Sequence, residues 1–266
     1  MIRTELIGAC LHVTLDAPAT RNALTDARVE GLAQALAQAA QHATLRALLL
    51  RGAGGSFCAG GDFGGFRSLM SQPAPAGAPD PIARFNRDFG ALLEKLTACE
   101  VATIAVVEGA AMGGGVGLAA ACDFVLAADE AKFGMPEVTL GLPPAQIAPF
   151  VAARVGPGAA LRLMLTGSRI SAAEALRVGL ADEVLAAEAL DARVVKLLAQ
   201  LQRAEPAALR ATKAILRHRQ THALAQTLDF AADAFAHSLR SGTAAEGLAA
   251  LSAKRAASWV SGGEST

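Results

Sequence analysis

Aromatic residues make up only 4% of this 266-residue sequence. So few rings offer no stacking platform for the bases of a single-stranded nucleic acid. An excess of either charge is also lacking: 24 Lys and Arg balance 24 Asp and Glu, for a formal net charge of zero. A general polyanion binder carries a basic surplus, so nucleic acid is not expected as a partner. Isolated Lys or Arg side chains can still hold a phosphorylated small molecule. Cysteine is scarce, at Cys10, Cys58, Cys99 and Cys122. None forms a CxxC pair or a Cys/His set with zinc spacing, which leaves free thiols in a reducing compartment as the reading and no metal site. There is no long unbroken apolar run. Residues 101–128 come nearest, but Glu108, Asp123 and the glycines 113–115 interrupt them, and a membrane span needs about 20 apolar residues. At residues 1–10 Glu5 breaks a very short apolar stretch, unlike a secretory signal. The expectation is a soluble, cytoplasmic chain.

What is present is hydrophobic, at 53%, and much of it is alanine, which favours helices and close packing. Residues 4–15 have the composition of a β-hairpin turning near Gly8. Thr25 can cap a helix from Asp26 to about Ala40, with Leu24, Leu32 and Leu36 inward. Residues 45–50 and 103–107 are short, continuous apolar strands, and 124–127 form a third. Each of the first two leads into a glycine-rich turn, and helical periodicity follows. Strands alternating with helices predict an α/β protein with parallel strands. Beyond Pro144 the pattern is helical almost throughout, with 182–185 the one strand candidate. Three helical segments fill 206–260. Leu216, Leu224, Leu228, Phe230, Phe235 and Leu239 give them apolar surface that needs a core or another subunit to cover it. Residues 71–81 (SQPAPAGAPDP) read as a loop, either an inert linker or a lid.

Three elements carry chemistry. The first turn is Ser56-Phe57-Cys58-Ala59-Gly60-Gly61-Asp62, and the second runs from Gly109 to Gly115 through Met112-Gly113-Gly114. Glycine there lets a ligand or another chain approach the backbone, whose N–H groups can hold an anion or a developing oxyanion. Tight packing explains either turn taken alone. Neither matches a dinucleotide fingerprint or a phosphate-binding loop with its lysine. The third element is Phe133-Gly134-Met135-Pro136-Glu137. A lone carboxylate in such apolar surroundings has a raised pKa, which suits proton transfer to and from carbon. The histidines, at 12, 42, 218, 222 and 237, sit in no motif that would serve a hydrolase.

Together and in order, these stretches resemble the crotonase superfamily, the enoyl-CoA hydratases and isomerases. Arg21-Asn22-Ala23-Leu24, Ala111 to Asp123, Leu165-Thr166-Gly167, Ala173-Glu174-Ala175 with Gly179-Leu180, and Lys254-Arg255 extend the resemblance over nearly the whole chain. It implies a spiral of β-β-α turns over 1–200 with an acyl-CoA site, and a helical region over 201–266 for packing and assembly into trimers or pairs of trimers. It implies that the N–H groups of Gly61 and Gly114 form an oxyanion hole for a thioester, and that Glu137 is the proton carrier. Cys58, Ala59 and Asp62 then line the coenzyme A loop, and Phe235 and Lys254 are tail positions reaching CoA. Lys254 reads equally well as a solvated helix charge. Arg67 stands in, at a different spacing, for a cation common soon after Asp62. Coenzyme A would arrive as part of the substrate, with no separate cofactor.

Two departures bear on the reaction. Gly117 stands where two-glutamate hydratases of this family carry their first catalytic Glu. One carboxylate, Glu137, is enough for a Δ3,Δ2 double-bond shift, so residue counting favours an isomerase. The segment after Glu137, Gly141-Leu142-Pro143-Pro144-Ala145-Gln146-Ile147-Ala148-Pro149-Phe150, resembles instead hydratases acting on isohexenylglutaconyl-CoA. On that reading Gly117 makes room for a branched acyl chain, whose second carboxylate or a fixed water assists in place of the missing Glu. Hydration of a C2–C3 double bond is the expectation, with isomerisation the alternative and a non-catalytic acyl-CoA binder a third.

Overall fold

The computed structural model describes residues 1–62, 64, 65, 70, 71, 77 and 80–260. Arg67 and most of 71–81 lie outside them. Strands β1 (Ile2–Ile7) and β2 (Cys10–Leu15) form the expected antiparallel hairpin, with Gly8 at φ +57° in its turn. Helix α1 (Asp26–Gln41) follows. Thr25 takes the extended N-cap conformation, but its side chain makes no capping hydrogen bond, contrary to expectation. Strand β3 (Ala47–Gly52) then joins β2 in parallel.

Beyond β3 the chain reaches helix α2 (Pro81–Thr97), where Asp80 accepts from the Ile82 amide at 2.8 Å and Pro81 opens the first turn. Both are favourable N-terminal signals. Strand β4 (Ala102–Val107) is buried along its whole length, as its unbroken apolar run requires of a central parallel strand. It leads through β5 (Ala110–Met112) into the short helix α3 (Gly114–Ala120). Strands β6 (Phe124–Ala128) and β7 (Lys132–Gly134) follow, then a 3-10 turn at Pro136–Leu140 and helices α4 (Ala148–Val155) and α5 (Pro157–Thr166). Strand β8 (Arg169–Ser171), helix α6 (Ala172–Arg177), strand β9 (Glu183–Leu185) and helix α7 (Leu190–Gln202) complete the core.

The strands form two sheets, one of six in the order β1-β2-β3-β4-β6-β9 and one of three in the order β5-β7-β8. Among the described residues only β1–β2 and β7–β8 run antiparallel. The small sheet was not expected. Its strands have three residues each, too short to show periodicity, and β8 contradicts the reading of a single strand beyond Pro144. A bridge from Cys58 to Ala111 carries the turn after β3 alongside the small sheet. Successive turns therefore pass from a long strand to a short one and on to helix, which is the spiral of β-β-α turns expected.

The tail is helical, as expected: α8 (Pro206–Thr221), α9 (Leu224–Arg240) and α10 (Thr243–Ser252). Lys213 ties it to the core, donating to the Val101 carbonyl at 2.8 Å and pairing with Asp123. Asp123 in turn accepts from the Thr103 amide at 2.7 Å. Among the described residues no helix is long and apolar enough to cross a membrane.

Candidate active site

The two glycine turns meet back to back. Gly60 (φ +91°) and Gly113 (φ +50°) occupy backbone regions disfavoured for other residues. A Cβ on Gly113 would stand 3.9 Å from Gly60 Cα and 2.8 Å from Glu137 Oε1. Both turns and the carboxylate thus converge on one point, and a side chain at 113 would displace the acid.

Asn22 holds the first turn in place. It is fully buried at φ +58°, a conformation asparagine tolerates better than most residues. Its Oδ1 accepts from the Ala17 amide at 2.9 Å, and its Nδ2 donates to the carbonyls of Ala53 at 2.9 Å and Ser56 at 2.7 Å. Next to it Ala59 donates its amide to Arg21 at 2.9 Å. Leu24 bridges Gly61 in parallel: its amide donates to Gly60 at 2.7 Å, and its carbonyl accepts from Asp62 at 3.1 Å. Such a ladder uses alternate peptide groups, so the Gly61 N–H faces away from Leu24. Across the contact, Gly114 is the first residue of α3, and a first-turn amide has no acceptor within its own helix. Among the described residues neither the Gly61 nor the Gly114 amide has an acceptor. Two unpartnered N–H groups thus follow directly upon the two glycines that face each other.

Glu137 enters from the 3-10 turn, with Pro136 ahead of it and Gly141 closing it in the left-handed region. Its Oε2 is buried with no hydrogen-bond partner among the described residues. Burial pushes its pKa above the ordinary carboxylate value, outweighing a backbone hydrogen bond that acts the other way. The site therefore combines an acid held towards its protonated form with two backbone donors. It can move a proton on a carbon while stabilising charge on a neighbouring oxygen.

This arrangement accompanies a match to the enoyl-CoA hydratase/isomerase family model over residues 6–262. The chain belongs to that family. It is 33% identical over 256 residues to the crotonyl-CoA hydratase of Syntrophomonas wolfei, covering 93% of each chain. To the 2,3-dehydroadipyl-CoA hydratase of Escherichia coli it is 34% identical over 215 residues, 80% of each. A solved enoyl-CoA hydratase/isomerase from Marinobacter aquaeolei superposes with a TM-score of 0.94 at 40% identity, covering 97% of this chain and 98% of that one. This hydratase/isomerase is accordingly an enzyme acting on acyl-CoA thioesters.

The remaining predicted residues fall as follows. Cys58 is buried, its amide donating to Ala110 and its carbonyl accepting from Met112, each at 2.9 Å. Burial pushes its thiol up to about 12, which removes it as a nucleophile. Asp62 turns its carboxylate back on the amides of Gly64 at 3.1 Å and Gly65 at 3.3 Å, capping the segment that follows. Phe235 on α9 and Lys254 after α10 are exposed. Among the described residues no hydrogen bond or ion pair joins either to the Glu137 cluster.

Gly117 requires a correction. It is buried, and a Cβ there would stand 2.4 Å from Ile147 Cγ2 and 3.4 Å from Leu93 Cδ1. The space beside it is filled rather than open, so it gives no room for a branched chain. Sequence reasoning also missed two walls of the site. A Cβ on Gly114 would meet Leu24 Cδ1 at 2.8 Å and the Phe89 ring at 3.2 Å. Phe89 comes from α2, where Phe89, Leu92, Leu93 and Leu96 recur at helical spacing, a core signal with no mark of a site.

Proposed function

We propose that this enzyme hydrates the C2–C3 double bond of an enoyl-CoA through an enolate, with Glu137 as its only carboxylate. In this reading the thioester oxygen lies between the amides of Gly61 and Gly114. The water oxygen bonds to Cβ as a Glu137 oxygen takes the water's proton and the double-bond electrons move to the thioester oxygen; the acid so formed then gives a proton to Cα. The transient negative charge rests on the thioester oxygen and returns as the C=O re-forms, so the carboxyl ends as it began. A raised pKa supports this order, because it makes the Glu137 carboxylate a stronger base towards water before it acts as the acid. Coenzyme A enters as part of the substrate, and Cys58, Ala59 and Asp62 belong to the loop that receives it. Phe235 and Lys254 reach CoA in a trimer or a pair of trimers.

One observation carries the reading: Glu137 Oε1 lies beside Gly113 where that residue faces Gly60, and the amides of the next residue in each turn have no acceptor among the described residues. The two relatives named above as hydratases support hydration over isomerisation. The acyl group proposed is of the glutaconyl type, with a second carboxylate, as in substrates of isohexenylglutaconyl-CoA hydratases. The dicarboxylic substrate in the name of the Escherichia coli relative supports that choice.

Ile147 favours a second reading. It fills the place beside Gly117, leaving no second carboxylate to direct water, and one acid suffices for Δ3,Δ2 isomerisation. Assays with crotonyl-CoA, but-3-enoyl-CoA and 3-methylglutaconyl-CoA in D2O separate the two. Hydration gives a 3-hydroxyacyl product, heavier by one D2O, from a 2-enoyl thioester. Isomerisation gives deuterium exchange at Cα of the 3-enoyl thioester and no hydroxylated product, and that result would overturn hydration.

A further inference from the structure

The inner face of α2 carries more than apolar walls. Asn86, Phe89, Gly90 and Leu93 recur at helical spacing, so they share one face. Phe89 covers Gly114 and Leu93 approaches Gly117, while the stretch between and above them is polar. Gln146 leans over Gly90 from the segment before α4. Its Oε1 lies 2.0 Å, and Arg87 Nη1 3.3 Å, from the point a Gly90 Cβ would occupy. Gln146 Nε2 donates to Asn86 Oδ1 at 3.0 Å. Arg87 Nη2 rests on the Glu94 carboxylate at 2.9 and 3.0 Å, which leaves Nη1 turned towards Gly90. Asn86 Nδ2 has no acceptor among the described residues. A guanidinium and two carboxamides therefore gather one residue step along α2 from the ring that bounds Gly114, and no carboxylate but Glu94 is paired within the group. Asp88 lies on the exposed side of the helix.

The geometry points to Arg87, Asn86 and Gln146 as a subsite for a carboxylate at the far end of a short acyl chain. This rests on the proposed function for the position of the thioester, and it gives that function a means of choosing a dicarboxylic substrate. Arg87 supplies a cationic N–H donor, the Nη1 that its pairing with Glu94 leaves turned towards Gly90. Asn86 Nδ2 supplies a neutral donor. Gln146 fixes Asn86 and is itself seated by Gly90, where any side chain would collide with it. Its isostere glutamate would place a negative charge against an incoming carboxylate.

Calorimetric titration with the saturated thioesters glutaryl-CoA and butyryl-CoA tests the subsite without any turnover. The intact enzyme should bind glutaryl-CoA about tenfold or more tightly than butyryl-CoA, the size of a charge-assisted hydrogen bond. Added salt should shrink that preference. Arg87→Gln and Gln146→Glu should each abolish most of it while leaving butyryl-CoA affinity within about twofold. Equal affinities in the unaltered enzyme, or variants that weaken both ligands alike, would overturn the subsite. Arg87 is half-exposed, so its replacement should fold; the circular dichroism of both variants checks this. Crotonyl-CoA hydration measured alongside separates the two claims. Equal affinities for glutaryl-CoA and butyryl-CoA in the unaltered enzyme, with hydration intact, sink the subsite alone. A clear glutaryl preference without hydration of any enoyl-CoA sinks the proposed reaction alone.

Discussion

Ile147 occupies the volume that the missing side chain of Gly117 leaves, with its Cγ2 2.4 Å from where a Cβ would stand. The two residues form one packing unit, although 30 positions separate them. A side chain at 117 and the branched aliphatic at 147 therefore exclude one another.

Gly117→Glu alone should therefore destabilise the fold. Overpacking costs about 1–3 kcal/mol, and a buried unpaired carboxylate adds to it. A thermal melt should fall by several degrees, at about 2–4 °C per kcal/mol for a domain of this size. Gly117→Glu with Ile147→Gly should recover much of that loss and raise hydration of crotonyl-CoA above that of the single variant. A single variant as stable as the parent would mean that Ile147 yields freely.

Glu137→Gln should lower turnover by about 10²–10⁴, the usual worth of a positioned acid–base group. Gln keeps the shape but carries no proton. Full activity in this variant would remove Glu137 from the mechanism.

The same variant gives a pH signature in stability. Burial raises the folded-state pKa of Glu137 above its unfolded value. The folded state thus holds the proton more tightly, so the parent loses stability as pH rises from the ordinary carboxylate range through the raised pKa. Glu137→Gln has no such loss. Its melting temperature relative to the parent should climb across that window and level off above it. A difference that stays flat with pH would show that the carboxylate is solvated in the folded protein.

Gly114→Pro removes one of the two free amides. Proline suits a first helical position, but its ring would strike Leu24 and Phe89, so the test belongs in a Leu24→Ala background. Relative to Leu24→Ala alone, turnover should drop by about 10²–10³, as when one oxyanion donor is removed. Circular dichroism should stay unchanged. Normal turnover in a folded variant would place the thioester oxygen elsewhere.

Asn22→Ala should unseat the first turn. It leaves the Ala17 amide and the Ala53 and Ser56 carbonyls without their buried partner, at about 1–3 kcal/mol for each unsatisfied group. Both melting temperature and turnover should fall, since the turn carries Gly61. Unchanged turnover with a lowered melting point would show that the amide holds its place without Asn22.

Much of this was written locally in the chain. The apolar runs of β3, β4 and β6 and the capping signals of α2 are properties of neighbouring residues. The two glycine turns and Pro136-Glu137 are too; these signals sufficed for the α/β class and, through the family resemblance, for the spiral. The strands β5, β7 and β8 were not legible, because three residues carry no period and exist as strands only through one another. Phe89 and Leu93 were hidden for a related reason, since a helix face that lines a site has the same spacing as one that fills a core. Gly117 shows the limit most plainly. The sequence by itself determined that no carboxylate stands at 117, but an absent side chain leaves either a space or a neighbour. Only the tertiary structure, by bringing Ile147 across from the segment after Glu137, decided that the space is filled, because close packing admits no void that an adjacent side chain can reach.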